Sequence, residues 1–218
     1  MKTSNTLVRL FGIIGIVGGM LLFAGDMLFY FDSESVNLKL NMGNSSDFRI
    51  KINGIIALLA SWFYLLGLVQ VYYAFGPAKV FARNIVIASF AAILISYGVI
   101  HGAYIAIAVA SKIAVQHNMD IDNITALATE ANFLMRIIIY PIFAVLSYFF
   151  ITQVWKRQTY YPRWIIAFFP LVPFLFQGLL KNLLTGSLWV IFVGGFLNLI
   201  IVMFFIASTI ALWNIERK

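Results

Sequence analysis

The chain has 218 residues, of which 62% are hydrophobic, 17% aromatic and only 11% charged, with a net charge of +7 and no cysteine. Soluble domains carry about twice that charged fraction, so the few ionic side chains cannot furnish a water-facing exterior, and lipid is the solvent implied. The missing cysteines exclude disulfides, thiolate catalysis, iron–sulfur ligation and cysteine zinc sites.

A membrane-spanning helix needs roughly 20 mostly apolar residues, because the hydrocarbon core is about 30 Å thick and each residue rises about 1.5 Å. The first such run is Leu10–Tyr30, preceded by Lys2 and Arg9. It is too long for the apolar core of a secretory signal and no clean cleavage site follows, so it reads as a retained helix. A loop over Phe31–Gly54 carries the sequon Asn44-Ser45-Ser46, and Ile55–Phe75 forms the second span, closed by the breaker Gly76-Pro77. The third span is Ile85–Ala110, followed by the loop Ser111–Glu130 with the sequon Asn123-Ile124-Thr125. The fourth is Ala131–Ile151. The fifth, Trp164–Leu180, is the shortest and contains Pro170 and Pro173, which predict a kinked or partly re-entrant segment. The last is Leu188–Trp213. The expected fold is all-α, a single transmembrane domain of about six helices.

Orientation follows from lysine and arginine placement. Lys2, Arg9, Lys79, Arg83, Lys156, Arg157, Arg163, Arg217 and Lys218 fall on one side; Lys39, Arg49, Lys51, Lys112 and Lys181 fall on the other, diluted by acidic residues. Both termini are therefore expected in the cytoplasm, with the chain in the cytoplasmic (inner) cell membrane. The basic residues cluster between apolar runs and not along one amphipathic face. Membrane lipid is the partner this implies, and nucleic acid is not. No internal repeat is evident, so the inverted halves of many transporters find no support.

An ionisable side chain inside hydrocarbon costs several kcal/mol unless it pairs or snorkels, so the residues that interrupt the apolar runs are the informative ones. Helical spacing puts Gly12, Gly15, Gly19, Asp26 and Tyr30 in one stripe of the first helix. Tyr97, His101 and Tyr104 share a side of the third. Thr129, Asn132, Arg136, Tyr140 and Ser147 share a side of the fourth. The other spans offer Ser61 and Tyr64, then Gln177 with Lys181 one turn on, and Asn198 beside Gly194 and Gly195. Counted from each segment's middle, Asp26, His101, Arg136, Gln177 and Asn198 all lie outward by about 3–9 Å. One polar layer in the outer half of the bundle is the expectation.

Each residue carries a plain reading beside the functional one. Asp26 and Arg136 form either a structural ion pair or, separately, a proton acceptor and an anion holder. His101 is either a hydrogen-bonded core imidazole or a general base oriented by Asp26. The tyrosines read first as packing groups with satisfied hydroxyls, the tryptophans as interfacial anchors, and Lys181 as a snorkelling side chain. His117 is the only other histidine and no metal-binding spacing occurs, so neither metal nor cofactor is expected.

The run Gly19-Met-Leu-Leu-Phe-Ala-Gly-Asp26-Met-Leu-Phe-Tyr30, with Tyr97-Gly-Val-Ile-His101-Gly-Ala-Tyr104, resembles an uncharacterised bacterial family of small six-helix membrane proteins. The resemblance implies architecture and carries no activity. The expected function is binding of an amphipathic or anionic, lipid-like ligand by Asp26, Tyr97, His101, Tyr104, Asn132, Arg136, Tyr140, Gln177 and Asn198. The alternatives are a lipid hydrolase or isomerase using Asp26 and His101, a small proton-coupled transporter, or a structural subunit. Oligomeric state stays open at this stage.

Overall fold

The computed structural model describes residues 5–213, so Lys2, Arg217 and Lys218 of the orientation argument lie outside the described residues. Four long helices come first: α1 (Asn5–Tyr30), α3 (Asp47–Ala74), α4 (Val80–Gln116) and α5 (Ile121–Trp155), with a short α2 (Leu38–Asn44) between the first two. All four are long and apolar enough to cross a membrane. A 3-10 segment (Arg163–Phe168) then leads into α6 (Leu171–Leu175), α7 (Gln177–Leu183) and α8 (Gly186–Trp189). A π turn (Val190–Gly194) continues α8 before α9 (Phe196–Ala211). α8 with the π turn and α9 together are long and apolar enough for a further crossing but bend by 63°, as a broken span or a re-entrant loop does. The described residues therefore hold four candidate spans, or five with this pair, against the six expected.

The helices outrun the apolar runs that announce them. Asp120 accepts a hydrogen bond from Asn123 N and so starts α5 ten residues before Ala131, while α4 continues to Gln116, reducing the expected loop to a short turn. Ser46 caps α3 in the same way, accepting from Arg49 N. Hydropathy marks where lipid ends, whereas capping marks where the helix ends.

The fifth expected span, Trp164–Leu180, is not one helix. Pro170 and Pro173 lack the N–H that a continuous ladder requires, and the run resolves into a 3-10 segment and two short helices. The sixth breaks at Gly194-Gly195. There a Cβ on Gly195 would lie 2.5 Å from the Phe23 ring, so glycine is what lets this bend meet α1.

Two ends of the bundle are distinct. At one, Arg9 donates through Nε to Trp213 O at 2.9 Å, and Tyr160 N donates to Ala74 O at 2.8 Å, so the start of α1 and the finish of α9 lie side by side. Just inside this end Gln70 donates to Val8 O (3.1 Å), and its carbonyl oxygen accepts from Ser208 Oγ (2.7 Å). Ser208 in turn bonds Tyr161, whose hydroxyl burial pushes well above its ordinary pKa. At the opposite end, Lys112 pairs with Asp47, Lys39 with Asp122, and Asn41 donates to Tyr30 O. The exposed Asn44 and Asn123 of both sequons belong to this second end.

The half nearer Arg9 is densely packed: Phe90, Phe150, Phe169 and Phe204 are fully buried against one another, Phe150 and Phe169 stacking with ring centres 4.3 Å apart. The glycine face of α1 is covered within the chain by α3 and α9. A Cβ on Gly67 would lie 2.7 Å from Gly15 Cα, a backbone-to-backbone approach that no side-chain adjustment relieves. Gly67→Ala should therefore lower stability by about 1–3 kcal/mol, read as a lower Tm in detergent. Gly102→Ala, where nothing lies within 4 Å, should fall within about 0.5 kcal/mol of the parent.

Candidate functional site

Asp26 sits one turn before the end of α1 and points into the bundle. Its Oδ1 lies 3.2 Å from His101 Nδ1 on α4, and its Oδ2 accepts a hydrogen bond from Asn198 Nδ2 on α9 at 2.6 Å. Asn198 Oδ1 then accepts from the Tyr64 hydroxyl on α3 at 3.1 Å. None of these four side chains is more than 6% exposed. One carboxylate thus joins α1, α3, α4 and α9 in a single buried network, and both of its oxygens have partners.

The carboxylate beside Nδ1 selects the tautomer with its proton there, leaving His101 Nε2 as an acceptor. That nitrogen is buried without a partner, and a Cβ on Gly25 would lie 3.2 Å from it. Nε2 therefore abuts the backbone of α1 and is not offered to a substrate. Phe29 stacks on the imidazole at 5.8 Å. On the same side Asn53 donates to Gly25 O.

Arg136 belongs to a second arm. Its Nε donates to Asn132 Oδ1 at 3.1 Å, its Nη2 donates to the Tyr104 hydroxyl, and its guanidinium lies 5.3 Å from the centre of the Tyr104 ring. Asn132 is itself fixed by donating to Ile100 O at 3.1 Å. Among the described residues no ion pair joins Arg136 to Asp26. The structural pairing expected from the helix stripes is replaced by His101 and Asn198 on one side and Asn132 and Tyr104 on the other. Periodicity gives the direction of a side chain but not the identity of its neighbour.

Between the arms lies a cavity of ≈380 Å³, within the usual 300–1,000 Å³ of ligand pockets. Asp26, Tyr97, His101, Tyr104, Arg136, Tyr140, Gln177 and Asn198 all line it, while Asn132 stands behind Arg136. Lys181 and Trp189, read from sequence as a snorkelling side chain and an interfacial anchor, are in its wall too. Lys181 follows Gln177 by one turn within α7, whereas Trp189 closes α8, beyond the broken run.

The wall changes character with depth. Toward the Arg9–Trp213 end, apolar residues line the wall on the same stretches as polar ones: Leu22 one turn from Asp26, Ile93 one turn from Tyr97, Ile139 and Phe143 one and two turns from Arg136, Phe174 three residues before Gln177, and Ile200 two residues beyond Asn198. Of all the lining residues only Tyr140 and Lys181 are exposed, which sets the mouth between α5 and α7.

Comparison with known proteins gives one family-model match, described as a family of unknown function (DUF6796), over residues 1–216. No curated protein and no solved structure matches the chain.

Double-mutant cycles distinguish the observed pairing from the expected one. In detergent unfolding, Asp26→Ala combined with Asn198→Ala should show a coupling of about 0.5–3 kcal/mol. Asp26→Asn combined with Arg136→Gln should be additive within about 0.5 kcal/mol. A larger coupling in the second cycle would restore the direct ion pair.

Proposed function

The chain belongs to this family of unknown function, and from the site itself we propose that it is an integral membrane protein binding an anionic amphiphile in the α5–α7 cavity. The observation that carries this reading is the gradient along the cavity, with Arg136, Gln177 and Lys181 in its wall and Leu22, Ile139, Phe143, Phe174 and Ile200 lining it toward the Arg9–Trp213 end. An amphiphile has the same gradient. Arg136 is already oriented by Asn132 and Tyr104 to meet an anionic head group, and Phe143, Phe174, Leu22 and Ile200 would receive the chain beneath it.

Lateral access supports the same reading. The mouth lies between two helices, beside the outward-facing Tyr140 at 53% exposure, so a molecule dissolved in the bilayer reaches the cavity without crossing water. The alternative of an Asp26–His101 acid–base pair draws less support. Nδ1 is engaged by the carboxylate and Nε2 is occluded by Gly25, so neither nitrogen can take a proton from a bound ligand without rearrangement.

The membrane arrangement belongs to the same proposal. Six passes result if the broken run 163–183 counts as the fifth and the bent α8–α9 as the sixth. The adjacent ends at Arg9 and Trp213, with Lys79, Arg83, Lys156, Arg157 and Arg163 in the turns of that end, favour the cytoplasmic side for both termini. The cavity's polar layer is then in the outer half of the inner membrane.

Two measurements test these points. Arg136→Ala should reduce the anionic lipid co-purifying with the protein by at least about tenfold, read by mass spectrometry of the extract, with Tm no longer raised by added anionic amphiphile. Unchanged co-purification would refute the site. Because the chain has no cysteine, single substitutions report sidedness cleanly. Asn118→Cys should react with an impermeant maleimide in intact cells, and Gln158→Cys only after permeabilisation. The reverse pattern would invert the topology.

A further inference from the structure

Resting on the amphiphile-binding reading, the geometry points to a phosphomonoester dianion as the head group. Two cations, Arg136 and Lys181, stand in the cavity wall, and among the described residues neither is paired with a carboxylate. Asp26, the one carboxylate in the wall, already has an oxygen beside His101 and another accepting from Asn198. Neither cation spends its hydrogen bonds on a carboxylate, so both can face acidic oxygens of one occupant, Arg136 from the part-buried wall and Lys181 from the exposed mouth.

The donor inventory leads to the same group. A guanidinium has five N–H bonds; one of these in Arg136 goes to Asn132 and one to Tyr104, which leaves three on a fork whose plane is already fixed. Lys181 adds three ammonium hydrogens, and Gln177 one turn earlier adds an amide. A phosphomonoester carries close to two charges at neutral pH and presents three strong acceptor oxygens. A phosphodiester or a carboxylate brings one charge and two such oxygens, one fewer than Arg136 and Lys181 together can engage. Arginine's fork suits two of the phosphate oxygens, with lysine acting as a point charge on the third.

The chemistry of the head is shared by a free phosphate and by a lipid phosphate, and the apolar floor commits the proposal to the lipid. The test uses the full chain in phosphatidylcholine nanodiscs, titrated with dodecyl phosphate, its methyl diester, dodecanoate and inorganic phosphate. Dodecyl phosphate should bind at least about tenfold tighter than each of the other three. The exposed-side Lys181→Gln should abolish that preference while leaving diester binding in place, and Arg136→Gln should weaken all three dodecyl anions. Equal affinity for monoester and diester would overturn the phosphomonoester assignment and leave the amphiphile reading standing. Inorganic phosphate matching dodecyl phosphate would overturn the lipid source. No binding of any dodecyl compound would overturn both readings.

Discussion

A carboxylate inside an apolar helix bundle is tolerable only when its lone pairs have donors, and much of the half away from Arg9 and Trp213 is arranged around that demand at Asp26. His101 comes from α4, Asn198 from α9, and Tyr64 supports Asn198 from α3. None of these elements could rotate or slide by a residue without stripping a partner from a buried polar group, at about 1–3 kcal/mol each. The network therefore fixes register as well as position. It also holds the upper parts of α1, α4 and α9 at the spacing that leaves a cavity beside them.

The opposite half obeys a different rule. There the phenylalanines interlock, the glycines of α1 admit α3 and α9 at backbone distance, and Gln70 ties α1, α3 and α9 through Val8, Ser208 and Thr209. A dense base and a hollow upper half thus stand one above the other in the same bundle. The pocket persists because its walls are braced below and bonded beside it.

Much of this was legible in the residues. A charged or amide side chain in an apolar run is conspicuous, its direction follows from the helical period, and its depth follows from the rise per residue. That suffices to single out Asp26, His101, Arg136, Gln177 and Asn198, all of which line the cavity. Partners were legible only in part: Asp26 beside His101 was among the readings, and the other contacts were not. Arg136 and Asp26 seemed natural counterions, yet asparagines, a tyrosine and a histidine do the work, since an amide can bond either charge and leaves no mark in a charge count. Gln70 escaped notice because it lies near the end of an apolar run, where a polar residue reads as an interfacial one. Helix ends were misjudged for the capping reason already given, and the proline-bearing run because breaks are local events that hydropathy averages away.

That broken run has a consequence for how the chain is made. A long helix can wait in lipid with its backbone bonded to itself, but pieces of five to seven residues expose free amide and carbonyl groups at every break. The 3-10 segment leans on α5 and on α9, and α6 on α9 as well. During synthesis α5 is already in place, whereas α9 is the last described helix to leave the ribosome. Residues 163–183 thus have half their shelter until the final helix emerges, so the pocket they wall is the last part of the molecule to come into being.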